Sequence, residues 1–247
     1  MKISGNTILV TGGGSGIGRA LAQRWAQAGN TVIVAGRRLD ALEQTAQGSP
    51  SIHPVQFDAS DAAATAAFAA TLLREFPALN VLVNNAGIMR SEDPTSRRDL
   101  ADAEETVATN LLGPIRLIDA LVDHLTAQPD SAIVNVTSGL AFVPLPRTPT
   151  YSATKAALHS YTQALRARLA DKVEVIELAP PGVQTELTPG QSTRDGYQPL
   201  PEFINEVMDL FAQAPTPPEI LVQRVQPLRF AERDGTLAER LAALAAL

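Results

Sequence analysis

Six short apolar runs recur along the chain, and the segments between them carry apolar residues at every third or fourth position. Thr7 to Thr11, Thr31 to Ala35, Ser51 to Phe57, Asn80 to Asn84, Ala132 to Ser138 and Val173 to Leu178 have strand length and end in turn residues. Ala-rich segments around residues 16–28, 38–47, 60–75, 101–127 and 152–170 carry the helical period. Regular β-α alternation implies parallel strands, right-handed crossovers and helices on both faces. The expected fold is therefore α/β, a doubly wound parallel sheet in three layers, α/β/α. No repeat or low-complexity linker interrupts the pattern, so residues 1–247 read as one domain. Ligands of such sheets bind beyond the carboxyl ends of the strands, where Gly12, Gly36, Asp58, Asn85, Ser138 and Pro180 fall.

After the sixth run the pattern changes. Residues 188–213 read as a substrate lid, in which Phe203, Val207, Leu210 and Phe211 form one apolar helical face, better suited to packing on a core than to holding ligand. Pro218 to Glu232 and Leu237 to Leu247 read as helices, which gives a helical C-terminus. Phe142, Leu145 and Tyr197 are candidates for an apolar pocket.

The 247 residues suffice for one α/β unit with a sizeable core. The chain has no cysteine, which excludes disulfides, thiol catalysis and thiolate metal sites and suits a reducing cytoplasm. A net charge of −6 argues against a nucleic-acid partner. Lys2 leads into polar residues, and no apolar run reaches membrane-spanning length, so neither export nor insertion is expected. His53, His124 and His159 lack ligand spacing and read as surface or packing residues, so no metal site is expected.

Candidate chemistry sharpens the picture at two places. Strand one runs directly into Gly12-Gly13-Gly14-Ser15-Gly16-Ile17-Gly18 and then a helical pattern through Trp25. A strand, a Gly-rich turn and a helix N-terminus offer backbone N–H groups and a partial positive charge to a pyrophosphate, the Rossmann-like arrangement. Much later, Tyr151 and Lys155 stand one helical turn apart, thirteen residues after Ser138. A phenol exchanges protons poorly near neutrality, its ordinary pKa being about 10. The Lys155 charge on the same face would favour the phenolate, and the Ser138 hydroxyl can bond a carbonyl or alcohol oxygen. Such a set suits C=O reduction or CH–OH oxidation, and the hydride must come from a nicotinamide-type cofactor.

The end of strand two selects among cofactors. An NAD site normally has Asp or Glu about 20 residues beyond the first glycine. Gly36 stands there, followed by Arg37 and Arg38, and no carboxylate comes before Asp40. A guanidinium fork suits a ribose 2′-phosphate, so the expected cofactor is NADP(H).

Taken together, Thr11 to Gly18, Asp58, Asn84-Asn85-Ala86-Gly87, Asn110, Ser138 and Tyr151-xxx-Lys155 resemble the short-chain dehydrogenases/reductases of compact, single-domain type, over roughly residues 5–190. The segment Pro227 to Gly235 is similar to that of a poorly characterised bacterial subgroup. The resemblance implies an oxidoreductase acting on a carbonyl or secondary alcohol; with Arg37 and Arg38 the expectation is NADP(H) dependence, and a small, apolar substrate is expected. It implies Tyr151 as general acid or base, Lys155 on the phenol and the nicotinamide ribose, Ser138 on the substrate oxygen and Asn110 on a water relay. Gly12, Ser15, Gly16, Ile17, Gly18, Arg37, Arg38, Asp58, Ala59, Asn85, Ala86, Gly87, Val183 and Thr185 join Tyr151 and Lys155 as cofactor-binding positions, with Asp58 on the adenine. Asn84 reads as structural. Two departures stand out: Pro181 occupies the place of a usual glycine, and the usual last strand is not recognisable. A homodimer is expected through the helices holding Asn110 and Tyr151, by way of Leu111, Leu112, Ile115, Ile118, Leu158 and Leu165, with a tetramer less secure. The alternative is a non-catalytic NADP(H) sensor that binds a protein partner.

Overall fold

The computed structural model describes residues 1–246. Seven parallel strands form one sheet in the order β3-β2-β1-β4-β5-β6-β7. They are β1 (Thr7–Thr11), β2 (Thr31–Gly36), β3 (Ile52–Gln56), β4 (Leu79–Asn84), β5 (Ala132–Val136), β6 (Glu174–Leu178) and β7 (Glu219–Ile220). The strand order reverses between β1 and β4, and there a doubly wound sheet opens a crevice above its carboxyl edge.

Strand side chains alternate across the sheet, and the two cores follow from that. Ile8 and Val10 of β1 enter one apolar cluster with Val32 and Val34 of β2. Leu9 enters the other, with Ile33 and Ala35. Both faces are buried, as continuous apolar runs in a parallel sheet require. Helices α1 (Gly16–Gln27), α2 (Leu39–Ala46) and α3 (Ala62–Glu75) follow the first three strands, and α6 (Pro149–Leu169) joins β5 to β6.

The expected helix over 101–127 is three pieces: α4 (Ala101–Val107), a π-helical stretch (Ala108–Leu112) and α5 (Gly113–Ala127). Pro114 has no N–H to continue an α ladder, and Gly113 lets the segment close on Ala59, whose carbonyl would stand 2.6 Å from an added Cβ. The extra residue of the π turn matters because Asn110 lies within it.

Beyond β6 the sequence reading needs correction. Residues 218–232 are not one helix: Pro218 leads into β7, which pairs Glu219 with Glu177 and Ile220 with Leu178. A short turn and α8 (Gln226–Arg229) follow. A two-residue strand carries no detectable period in the sequence. Helix α9 (Leu237–Ala245) forms within the expected range, and Leu247 lies outside the described residues. Within the supposed lid, α7 (Leu200–Phe211) packs on the core through buried Phe203, Ile204, Val207, Met208 and Phe211. The Phe211 ring meets Trp25 edge-on at 5.6 Å between centroids. Truncating either ring would cost about 3–5 kcal/mol, so that half of the segment is anchored. Among the described residues, no helix is long and apolar enough to cross a membrane.

The apolar surplus expected at the helix pair is smaller than it looked. Ile118 and Leu158 are spent in the protein's own core. Leu112 is exposed, and Leu111, Ile115 and Leu165 are half-buried.

Candidate active site

A cleft of about 350 Å³ opens over the β1/β4 switch point. Its floor is the Gly-rich turn. Thr11 explains the turn's position: its hydroxyl accepts the Asn85 and Ala86 N–H groups at 3.0 Å. Asn85 returns the link, its amide donating to the Thr11 carbonyl at 2.9 Å. The loops after β1 and β4 are thereby stapled together. Gly12, at φ +68°, is required there, because an added Cβ would lie 2.9 Å from Ala86 Cα.

Ser15 caps α1 with extended backbone but no side-chain bond, and the first turn of the helix has no acidic residue. Its positive end faces the cleft uncompensated, since Ser15, Gly16 and Ile17 line the wall. That environment fits a pyrophosphate. Gly18 serves the cleft from behind. It does not line the cleft but lets α1 press on the turn, where an added Cβ would fall 2.4 Å from both the Asn85 amide and the Gly12 carbonyl.

Around this floor the cleft gathers Arg37, Arg38, Asp58, Ala59, Asn85, Ala86, Gly87, Ser138, Tyr151, Lys155, Val183 and Thr185. Asp58 does not cap α3; Asp61 does, accepting the Ala63 and Ala64 N–H groups. One Asp58 oxygen accepts from the Ser60 N–H and hydroxyl, which orients the carboxylate at the cleft. Asn84 bonds Asn135, which in turn bonds Thr162, a chain buried beneath the sheet's edge.

Tyr151 and Lys155 come from the first turns of α6, and Ser138 from the extended end of β5. All three are less than a tenth exposed. The Lys155 ammonium donates to the Val136 carbonyl at 2.7 Å and stands 5.7 Å from the Tyr151 ring centroid. Burial dominates the titration of both groups. Desolvation pushes the Tyr151 phenol up to about 12, against the pull of its bond with Ser138 and with Tyr197 adding to the rise. Desolvation likewise brings Lys155 down to about 8. Desolvation is the largest influence on the phenol, so its pKa lies above the ordinary value even with the lysine one helical turn away. At neutral pH the phenol keeps its proton, the form a general acid needs.

Asn110 is fully buried and does not line the cleft. Its side chain clasps the Ile88 backbone, accepting the N–H at 2.9 Å and donating to the carbonyl at 2.8 Å. Gly87 lies between it and the lysine: an added Cβ would be 3.3 Å from Asn110 Oδ1 and 3.7 Å from Lys155 Nζ.

The cleft also holds residues that no motif marked. Arg90 and Ile88 come from the loop after β4, Thr109 from the π stretch, and Glu186, Leu187 and Gln191 from the segment after β6. Gln191 is buried and ties that segment together, donating to the Val183 carbonyl and the Thr185 hydroxyl. Pro181 lines the wall beside Pro180. Tyr197 lies against Gly182 and near Tyr151, while Phe142 carries the Arg229 guanidinium 4.8 Å above its ring.

A family model described as short chain dehydrogenase matches residues 6–196. The chain belongs to that family. It is an oxidoreductase of the kind in which a hydride is transferred. The family extends beyond the motifs. The chain is 42% identical over 239 residues to the uncharacterized oxidoreductase DltE of Bacillus subtilis strain 168, covering 94% of each chain. It is 35% identical over 184 residues to serine 3-dehydrogenase of Agrobacterium fabrum strain C58, covering 74% of each. Among solved structures, a short chain dehydrogenase from Burkholderia cenocepacia J2315 in complex with NADP superposes with a TM-score of 0.83 at 26% identity, over 98% of this chain and 99% of that one. A 3-ketoacyl-(acyl-carrier-protein) reductase from Brucella melitensis, complexed with NADH, gives 0.72 at 28%, over 87% and 90%. Family members thus bind either coenzyme, and the choice for this chain rests on its own residues.

Away from the cleft, His159 of α6, Glu177 of β6 and Glu219 of β7 bring ligand-type atoms within 4.8 Å of one another. Sequence spacing could not show it, since three separate elements contribute. The carboxylates are already engaged: Glu177 accepts from His159 and Thr137, and Glu219 is held by both arms of Arg229.

Proposed function

We propose that the protein is an NADP(H)-dependent oxidoreductase that interconverts a carbonyl and a secondary alcohol on a small, apolar substrate. The bound nicotinamide would supply or take up the hydride. The observation that carries the reading is the buried meeting of Ser138, Tyr151 and Lys155 at the edge of a cleft whose floor suits a pyrophosphate. Ser138 orients the substrate oxygen, and Tyr151 gives it a proton in reduction, which its raised pKa favours. An ammonium has three donors: Lys155 spends one on Val136, and the others would serve the ribose hydroxyls and the phenol oxygen. Asn110 holds the backbone beside them in place and borders the path of a proton-relaying water.

For the coenzyme, the support is Gly36 where an NAD site carries a carboxylate, with Arg37 and Arg38 beside it at the cleft. The NADP-bound Burkholderia relative agrees, and the NADH-bound Brucella relative marks the alternative. A sensor without chemistry would gain nothing from burying a lysine this deeply.

We take the whole chain as one catalytic domain. Within residues 188–213, Gln191 and its neighbours act as the part that closes on substrate, while α7 anchors it. Leu111, Leu112, Ile115 and Leu165 offer the patch for a homodimer. Light scattering at micromolar concentration should give at least twice the chain mass; a monomeric mass refutes the dimer. The deciding test of function is a panel of aldehydes, ketones and secondary alcohols followed by NADPH absorbance. Turnover of at least one apolar carbonyl compound is expected; none across the panel, with NADPH bound, would overturn the reading.

A further inference from the structure

Arg37 does not stand alone at the coenzyme end of the cleft. Its Nη1 lies 3.0 Å from Glu105 Oε1, and Nη2 of Arg90 lies 3.7 Å from the other oxygen of the same carboxylate. Arg90 Nε also stands 3.6 Å from Asp102 Oδ1. Three elements meet here: the end of β2, the loop after β4, and α4. Both arginines line the cleft, and Glu105 does not.

Glu105 therefore bridges the two guanidinium groups, and Asp102 stands as a second carboxylate beside Arg90. Each contact is weak, because the side chains are 53%, 42% and 34% exposed for Arg37, Arg90 and Glu105, and exposed pairs contribute little. A phosphate has three oxygens and nearly twice the charge, and it makes stronger bidentate bonds to arginine than a carboxylate in water. An anion of that kind arriving from the cleft would take over both guanidinium groups and release Glu105 to solvent.

We propose that Arg37 and Arg90 form one clamp for the 2′-phosphate of an adenosine ribose, and that Glu105 is its built-in competitor, displaced on binding. The inference deepens the coenzyme reading above and rests on it. Arg90 becomes a specificity-determining residue, and Glu105 sets how strongly the phosphate is preferred.

The test uses adenosine 2′,5′-bisphosphate and ADP, which differ in where the second phosphate sits, titrated calorimetrically into the whole protein. Wild type should prefer the 2′,5′ compound. Glu105→Gln should tighten that compound about threefold to fivefold, the worth of an exposed ion pair, and leave ADP within about twofold. Arg90→Ala should weaken the 2′,5′ compound at least about threefold, again with ADP unchanged. Unchanged 2′,5′ affinity in Glu105→Gln overturns the competitor, and an intact preference in Arg90→Ala overturns the clamp, while a retained wild-type preference keeps the coenzyme reading standing. Loss of ADP binding in either variant overturns the inference differently, by showing that the residue shapes the whole cleft. Equal wild-type affinity for the two probes overturns the coenzyme reading itself.

Discussion

At one end of the cleft Ser138, Tyr151 and Lys155 are each less than a tenth exposed, whereas at the other Arg37 and Arg90 stand about half in solvent. The same fold thus runs two kinds of electrostatics side by side. Where water is excluded, a charge is costly, and burial pushes the Tyr151 phenol up to about 12 and the Lys155 ammonium down to about 8. Where water remains, charges are screened, side chains exchange partners easily, and each contact tunes affinity by a small factor. Chemistry needs the first environment; a choice between two coenzymes needs only the second.

The comparison breaks most readily at Tyr151. Tyr151→Phe removes one hydroxyl from the buried end and should lower kcat by roughly 10² to 10⁴, the usual worth of a general acid. NADPH affinity should stay close to wild type. Retention of more than about a tenth of wild-type kcat would mean that the proton comes from elsewhere.

Lys155 tests whether the buried end is held at the expense of the fold. Its pKa falls from 10.5 to about 8 on folding, so the charged form is destabilised in the native state. The sign follows: a lowered lysine pKa penalises the fold fully below pH 8, and the penalty is relieved as pH rises from about 8 to 10.5. Its size at pH 7 is about 3 kcal/mol. Lys155→Met should therefore raise Tm at pH 7 by several degrees, less what is lost by orphaning the Val136 carbonyl. The same variant should lose turnover and bind NADPH more weakly. A lower Tm at pH 7 would show that the ammonium is better solvated than its burial implies.

A third test separates the two ends by pH. Tyr151 stays protonated across the neutral range, so the break in reduction should come from Lys155. The value of kcat/KM for the carbonyl should be flat up to about pH 8 and then fall up to about tenfold per unit as the ammonium that supports the nascent phenolate is lost. In Lys155→Met the profile should be low and unbroken there. A wild-type profile that stays flat to pH 10 removes Lys155 from the proton path.

How far the sequence could be read follows the same division. The strands of the buried sheet carried their own period, so β1 to β6 and the turn after β1 were legible from residue pattern alone. Ser138, Tyr151 and Lys155 were legible because a strand end and a helical turn fix their spacing. What escaped was whatever depends on a third element. Arg90 has no motif around it, and only the folded path of α4 brings Glu105 between it and Arg37. Gly18 belongs to a glycine-rich turn that the sequence shows, but the contact its bare Cα permits between α1 and Asn85 is visible only in the fold. β7 is two residues long, and its register with β6 is invisible without the sheet. The raised Tyr151 pKa is illegible for a related reason: spacing places a charge nearby but says nothing about lost water.

The smallest expected effect lies at the exposed end, where Arg37→Ala should remove most of a coenzyme preference set at about tenfold, or 1.4 kcal/mol. Two charged partners compete for this guanidinium, Glu105 at 3.0 Å in the protein and a phosphate from outside. Because the phosphate carries more charge and more acceptor oxygens, losing the guanidinium should weaken NADPH alone and leave NADH within about twofold. Salt provides a second handle. An exposed pair is screened over roughly 10 Å at 0.1 M ionic strength, so the wild-type preference should shrink as salt rises, while the Tyr151 and Lys155 effects, being buried, should hardly move. Dissociation constants for both coenzymes at two salt concentrations, in wild type and Arg37→Ala, make the measurement. A preference that survives the substitution, or one indifferent to salt, would mean that coenzyme choice is made by buried groups after all, and the contrast between the two ends would fail.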